Sequence, residues 1–118
     1  MNLKLLEELC NTPGVPGLED KISKIVLREI KNLTQTHETD SMGNEIFRVN
    51  EEIPGSSTIL IDAHMDEVGF LVSHIEDNGM IRVIPLGGID PNLFYGQRLT
   101  IWCKNSVEAT VAAIPPHI

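Results

Sequence analysis

An apolar run passes directly into a polar cluster at residues 59–67, which read Ile-Leu-Ile-Asp-Ala-His-Met-Asp-Glu. The apolar part predicts a strand over Thr58–Ala63. If the extended geometry continues past that strand, Asp62, His64 and Asp66 share one face, because side chains alternate with a period of two. Functional sites in open α/β sheets gather at the carboxyl ends of strands. The stretch therefore predicts a strand that ends at a candidate site.

Two helices are predicted before this strand. The first covers Leu3–Cys10 and is ended by residues 12–17, which contain two prolines and two glycines. The second starts near Leu18 and fades near Lys31, with acidic residues in its first turn, where the helix dipole favours them. Its apolar positions repeat along one helical face, at Leu18, Ile22, Ile25, Val26 and Ile30.

From Leu33 onward, short β-type runs alternate with turn residues. Besides Thr58–Ala63, strands are predicted at Thr34–Glu38, Ile46–Val49, Phe70–Ile75, Ile81–Ile84, Arg98–Trp102 and Val107–Ile114. The dipeptide Asn78-Gly79 between two of these runs predicts a hairpin. Two helices followed by about seven strands indicate an α/β layer and then a separate β unit, with a seam near Glu67–Phe70.

The composition argues against several classes of partner. The chain has 118 residues, enough for one ordinary domain, and a formal net charge of −8. Since Lys and Arg form no cluster, the chain is a poor candidate for binding nucleic acid or anionic membranes. No apolar run is long enough to span a bilayer, and early acidic residues argue against a signal peptide. Cys10 and Cys103 have no metal-binding spacing, so we expect a reduced cytoplasmic protein.

His64 and Asp66 form the candidate site with the clearest chemistry. An imidazole two residues before a carboxylate can bind a metal ion while the carboxylate fixes the orientation of the ring. The same pair also fits a plain strand end with solvated charges and a hydrogen-bonded histidine. The remaining histidines lie in polar or strand contexts and are expected to be solvated or structural, namely His37, His74 and His117.

Several segments, in order along the chain, resemble the motifs of one enzyme family. They are Thr12–Glu19, Asp40–Asn44, Ala63–Phe70, Pro85–Pro91, Gly96–Ile101 and Pro115–Ile118. The segment Ala63–Phe70 matches the family's zinc-ligand motif nearly letter for letter, whereas Pro16 stands where the family usually has Ser. On these motifs the sequence resembles the N-terminal part of the M42 metallopeptidases, the glutamyl and deblocking aminopeptidases.

The resemblance implies a fold, an activity and a site. Residues 1–68 would form the N-terminal portion of a zinc-peptidase α/β catalytic domain, and residues 69–118 the start of an inserted β-barrel-like dimerisation domain. His64 would be a metal ligand, and Asp66 a catalytic carboxylate that holds or polarises that ligand. The activity would be removal of N-terminal residues from short peptides. Two divalent ions, Zn²⁺, Co²⁺ or Mn²⁺, would activate a shared water and polarise the scissile carbonyl.

The resemblance also implies that this chain lacks most of the metal ligands. The family's bridging Asp, its Glu pair, a further Asp and a second His would all lie beyond Ile118, and a catalytic zinc needs three protein ligands. We therefore expect an N-terminal fragment with little peptidase activity and no stably bound metal of its own. The alternative is a non-catalytic β scaffold that joins copies of the chain into a homo-oligomer through unpaired strand edges.

Overall fold

A computed structural model describes residues 2–51 and 53–112 of the chain. The chain divides into two compact units, the first ending at Glu67 and the second beginning at Val68. The predicted strand end at Ala113–Ile114, and the segment Pro115–Ile118 with His117, lie outside the described residues. In chain order the elements are α1 (Leu3–Asn11), α2 (Asp20–Ile30), β1 (Thr36–Thr39), β2 (Glu45–Arg48), β3 (Gly69–Ile75), β4 (Ile81–Leu86), a short 3-10 helix (Pro91–Leu93), β5 (Arg98–Ile101) and β6 (Val107–Thr110).

The two helices of the first unit form as the apolar periodicity predicts. Helix α2 begins at Asp20 rather than at Leu18, because the Leu18 backbone N–H closes a turn on the Val15 carbonyl (2.9 Å). Among the described residues, only Ile22 and Ile25 of α2 are buried hydrophobic residues. Neither α-helix, nor any other helix in the described part of the chain, combines the length and apolar character needed to cross a membrane.

The hairpin of β1 and β2 is closed by a turn that depends on Asp40. Its Oδ1 accepts hydrogen bonds from the backbone N–H groups of Met42 (2.8 Å) and Asn44 (2.9 Å), and Gly43 takes a left-handed φ of +84°. Hydrogen bonds from the Asn44 side chain and backbone lower the pKa of Asp40. The turn at Met42-Gly43-Asn44 is therefore an Asx turn.

A buried carboxylate joins this hairpin to α2. The Glu45 side chain, only 6% exposed, accepts hydrogen bonds from Ser23 of α2 (2.5 Å) and Thr39 (2.7 Å), and its Oε2 lies 2.6 Å from His37 Nε2. The His37 ring also stacks on Phe47, with ring centroids 5.0 Å apart. Burial would raise the pKa of Glu45, but the hydrogen bonds from Ser23, His37 and Thr39 outweigh it and hold the pKa below its ordinary value.

The second unit contains two further antiparallel pairs, β3 with β4 and β5 with β6. The β3–β4 turn uses Gly79 at a φ of +86°, and the Asn78 side chain accepts a hydrogen bond (2.9 Å) from the Met80 backbone N–H. This confirms the hairpin that Asn78-Gly79 predicts. Phe70 of β3 meets Phe94 edge to face, with centroids 5.2 Å apart, a favourable aromatic geometry.

The strand predicted at Thr58–Ala63 is wrong as stated, because residues 58–63 adopt irregular structure. The described strands form three separate two-stranded sheets, and none of these includes this segment. A β-strand is stabilised by pairing with a neighbour, and no described neighbour pairs here. The remaining predicted strands are confirmed with ends that shift by a few residues, and the last of them ends at Thr110 rather than continuing through residues 111–112.

Replacing Glu45 by Gln should lower the free energy of unfolding by about 2 kcal/mol near neutral pH, because it removes the charge from a side chain that is only 6% exposed and accepts several hydrogen bonds. Since folding lowers this pKa from 4.5, the stabilisation is present above that value and is lost as the pH falls through the folded-state pKa. Urea titrations of the two proteins at neutral and acidic pH measure the difference. Glu38→Gln, at an exposed position of β1, is the control. An equal loss of unfolding free energy for Glu38→Gln would contradict a specific stabilising role of the Glu45 carboxylate.

Candidate metal site

The structure brings His64 and Asp66 together. The His64 Nδ1 lies 3.1 Å from the Asp66 carboxylate Oδ1 and 3.0 Å from the Asp66 backbone carbonyl oxygen. Both partners are oxygen acceptors, so Nδ1 must carry the proton and donate it. In the neutral ring this fixes the tautomer and leaves the lone pair on Nε2.

This geometry is suited to a metal ligand. The side chain of His64 is 86% exposed, whereas that of Asp66 is about half as exposed. Histidine ligands commonly donate their second ring N–H to a carboxylate or a backbone carbonyl, which orients the ring and raises its basicity. His64 makes this contact through Nδ1, so its Nε2 is the nitrogen that carries the lone pair for a ligand.

The site segment is held in place by the loop between the two helices. The Glu67 backbone N–H donates to the Gly14 carbonyl oxygen at 2.8 Å. Gly14 is buried, and a Cβ added there would lie 2.7 Å from Cγ1 of Ile22 and 3.6 Å from the Met65 carbonyl oxygen. Only glycine therefore lets this loop approach both α2 and the site segment so closely. This role of Gly14 was not predicted, although the Pro13-Gly14 pair is its visible signal in the sequence.

The described residues do not form a complete metal site. Asp62 is exposed, and no hydrogen bond in the described part of the chain joins it to His64 or Asp66, although the strand periodicity predicted one shared face. Within residues 2–51 and 53–112, no group of three His, Cys, Asp or Glu side chains is arranged to hold a metal ion. His64 has the geometry of a single metal ligand, but a zinc site needs at least three protein ligands.

The other described histidines have different partners. His37 lies against Glu45 and stacks on Phe47, as described above, and is therefore not the fully solvated strand residue that the sequence predicted. His74 is 61% exposed, and its Nε2 lies 3.7 Å from the Glu76 carboxylate. Both lie in strands of hairpins, away from any third metal-binding side chain among the described residues.

A comparison with known families identifies the family to which this chain belongs. The profile described as M42 glutamyl aminopeptidase matches residues 43–118, which is more than half of the chain. The chain belongs to the M42 family. The matched region includes both His64 and Asp66, and membership confirms the resemblance seen in the sequence motifs.

Individual M42 relatives agree with this assignment. A lysyl aminopeptidase from Pyrococcus furiosus is 30% identical, covering 98% of this chain and 33% of its own length. The solved structure of aminopeptidase APDkam598 from Desulfurococcus kamchatkensis matches with a TM-score of 0.86 and 32% identity, covering 97% of this chain and 32% of that chain. A TET1 peptidase from Pyrococcus horikoshii is described as assembling into a tetrahedron or a large octahedral shell. Its structure matches with a TM-score of 0.80 and 34% identity, covering 98% of this chain and 34% of that chain.

This chain spans about one third of the length of the M42 relatives that it matches. Over that third, the α/β arrangement of two helices followed by antiparallel strands is shared with the solved structures, which confirms the coarse fold class predicted from the sequence.

Replacing Gly14 by Ala should lower the free energy of unfolding by about 1–3 kcal/mol, because the new methyl group collides with Ile22. Urea denaturation measures the loss, and amide exchange at Glu67 reports directly on the bond to residue 14. Gly88→Ala is the matched control, since Gly88 has no atom within 4 Å of an added Cβ and no left-handed φ. Equal stabilities for the two variants would show that the close approach at Gly14 is not a constraint.

Proposed function

We propose that this chain supplies part of the active site of a metal-dependent aminopeptidase. The observation that carries the proposal is the His64–Asp66 pair, whose 3.1 Å contact leaves Nε2 free to bind a metal, in a chain of the M42 family. The substrates would be short peptides, from which N-terminal residues are removed. The names of the relatives, among them a lysyl aminopeptidase, support this class of reaction.

The two residues have separate roles in this proposal. His64 binds one of two divalent ions through Nε2, and Asp66 acts through His64 by holding the proton on Nδ1 and the plane of the ring. Ions of the Zn²⁺, Co²⁺ or Mn²⁺ type, when bound, would lower the pKa of a shared water and polarise the scissile carbonyl. A site of imidazole and carboxylate ligands suits these ions.

The same proposal extends to the organisation of the chain. Residues 1–68 would belong to the catalytic domain and residues 69–118 to a β-barrel-like dimerisation domain. The division of the chain between Glu67 and Val68 supports such a boundary, and assembly of the TET1 peptidase into a tetrahedron or a large octahedral shell supports oligomer formation. By itself the chain would have little peptidase activity, because the described residues offer His64 without two further ligands.

Zinc titration of the chain should shift the ring nitrogen resonances of His64 before those of other histidines, because its Nδ1–H is already fixed by Asp66. The affinity should be weak, as expected for a single protein ligand. Asp66→Asn should weaken zinc binding at His64 about tenfold or more, the usual effect of removing such an orienting carboxylate. ¹⁵N spectra of the histidine rings measure both effects.

Two controls make this test decisive. His74→Ala removes another exposed histidine with a nearby carboxylate and should leave the zinc response of His64 unchanged. Equal shifts for His64 and His74 in the unaltered chain would contradict the assignment of His64 as the ligand. Substantial hydrolysis of leucine anilide by the chain with added Co²⁺, lost in His64→Ala, would contradict the proposed inactivity of the chain while supporting the site.

A scaffold role is the second candidate, and the surface of the second unit favours it. Its sheets have only two strands each, so strand edges remain open to another chain. It also exposes large apolar side chains that a partner could cover, among them Leu71, Ile75, Met80, Ile84, Leu93 and Tyr95.

Sedimentation of the purified chain should therefore show a dimer or larger species whose population rises with concentration. Leu93→Lys, at a position that is 70% exposed, should shift the population toward the monomer, because it introduces a charge into the apolar surface. Leu3→Lys, at a similarly exposed position in the first unit, serves as the control and should leave the population unchanged. A monomer at high concentration would contradict the scaffold role.

A further inference from the structure

Four of the nine basic residues of the chain lie on one side of helix α2. No basic run is visible in the sequence, because apolar, polar and acidic residues separate them. A helix turns by about 100° per residue, so their spacing of three, four and three positions brings them within an arc of about 80°. These residues, called here the basic stripe, are Lys21, Lys24, Arg28 and Lys31. Like charges three or four positions apart on a helix repel each other, and an anion bound beside the stripe would relieve that repulsion.

Part of the basic stripe lines a cavity of about 340 Å³ between α2 and the β1–β2 hairpin. Its volume is at the lower end of the range of about 300–1,000 Å³ that is typical of small-molecule sites. Lys24, Arg28 and Lys31 form its basic side. Every residue that lines it belongs to the first unit of the chain, so the cavity is a property of that unit alone.

The cavity also has an apolar part. Leu27 of α2 and Phe47 of β2 line it, and both are partly buried. The Phe47 ring stacks on His37 with an angle of 23° between the ring planes, which fixes its orientation. These apolar side chains offer a surface for a flat group, whereas the basic stripe and the hydroxyl groups of Thr34 and Thr36 offer polar contacts. A ligand with a flat apolar body and an anionic end would use both parts of the cavity.

The cations that line the cavity differ in their existing partners. Arg28 donates two hydrogen bonds to the Glu8 carboxylate (2.8 and 2.6 Å) and one to Glu29 (2.8 Å), so its charge is already balanced. Lys24 and Lys31 are exposed, and neither has an ion-pair partner within the part of the chain that the structure describes. These two lysines are therefore the cations that are available to a ligand.

The spacing of the two available lysines favours one kind of anion. Lys24 and Lys31 are seven positions apart, which corresponds to about 10 Å along a helix with a rise of 1.5 Å per residue. A single carboxylate is too short to contact both ammonium groups well, whereas a diphosphate has oxygens on two phosphorus atoms, and lysine is a common phosphate ligand. The carboxylates of Glu8 and Glu29 beside the stripe, and the net charge of −8, oppose a long polyanion such as RNA.

We propose that the cavity between α2 and the β1–β2 hairpin binds a nucleoside diphosphate. The base packs on Leu27 and Phe47, and the diphosphate lies between the ammonium groups of Lys24 and Lys31. The proposal does not rest on the function proposed above, because His64 is not among the residues that line the cavity.

The test is calorimetric titration of the chain with ADP in the presence of EDTA, so that no metal ion joins the nucleotide to the protein. One ADP should bind per chain with a Kd of about 1 mM or below, and the affinity should fall as NaCl is added, because the salt screens the lysines. Adenosine and pyrophosphate, which each carry half of the recognised chemistry, should bind at least about tenfold more weakly than ADP.

A pair of double variants assigns the binding to the cavity. Lys24→Gln combined with Lys31→Gln should weaken ADP binding at least about tenfold. Because both lysines are exposed, the urea unfolding curve should stay unchanged. Lys4→Gln combined with Lys104→Gln removes the same charge from exposed positions outside the cavity and should leave ADP binding within about twofold of the unaltered chain.

Several results would overturn the nucleotide site. One is the absence of ADP binding at 10-fold above the expected Kd, and another is an equal loss of affinity in the two double variants, which would indicate general attraction to positive charge. Equal affinities for ADP and pyrophosphate would show a simple anion site without recognition of the base. Equal affinities for ADP and adenosine would show that the lysines do not contact the ligand.

A third variant separates this proposal from the proposed function. His64→Ala should leave ADP binding unchanged, because the cavity does not include that residue. Loss of ADP binding in His64→Ala would place the nucleotide at the candidate metal site and overturn the assignment to the cavity. Failure of ADP to bind, with zinc still bound at His64, would contradict the nucleotide site and leave the proposed function standing.

Discussion

The fixed position of the chain at Glu67 is the constraint on which the candidate site depends. The bond from the Glu67 backbone to the Gly14 carbonyl ties the site segment to the loop between the two helices. That loop can approach because residue 14 has no side chain to strike Ile22. The His64–Asp66 pair lies immediately before this anchor, so the orientation of the imidazole is set by a short segment held at one end. The loop at Gly14 and the segment at His64–Asp66, separated by about fifty residues in the sequence, thus together set the orientation of one imidazole ring.

The first unit relies on polar contacts because its apolar core is small. Only Ile22 and Ile25 are buried among the described hydrophobic residues, which is little for a unit of this size. Glu45 adds a second connection, between α2 and the β1–β2 hairpin, through a side chain that is only 6% exposed and accepts hydrogen bonds from both elements. Hydrogen bonds to a charged group are stronger than neutral ones, so this cluster fixes the hairpin where little hydrophobic surface is available to do so.

Local patterns in the sequence predicted what local physics determines. The period of the apolar residues predicted α2, the dipeptide Asn78-Gly79 predicted the β3–β4 hairpin, and the two-residue spacing of His64 and Asp66 predicted their contact. The prediction of a strand at Thr58–Ala63 was wrong because a strand needs a neighbouring strand to pair with, and an apolar run does not show whether one is present. The hydrogen bonds of Glu45 with Ser23, His37 and Thr39 were not predicted for a related reason. Ser23 is 22 residues away from Glu45, and no pattern near Glu45 in the sequence indicates that contact.

The three described strand pairs also have a consequence for the order of folding. Each joins strands that are separated by a loop of five residues, at 40–44, 76–80 and 102–106. Hairpins with such short loops close within about 1–10 μs, because little chain entropy is lost before the first contacts form. Residues 58–63 have no such local route, because no described strand pairs with them, so any strand that they form must wait for a partner that is distant in sequence.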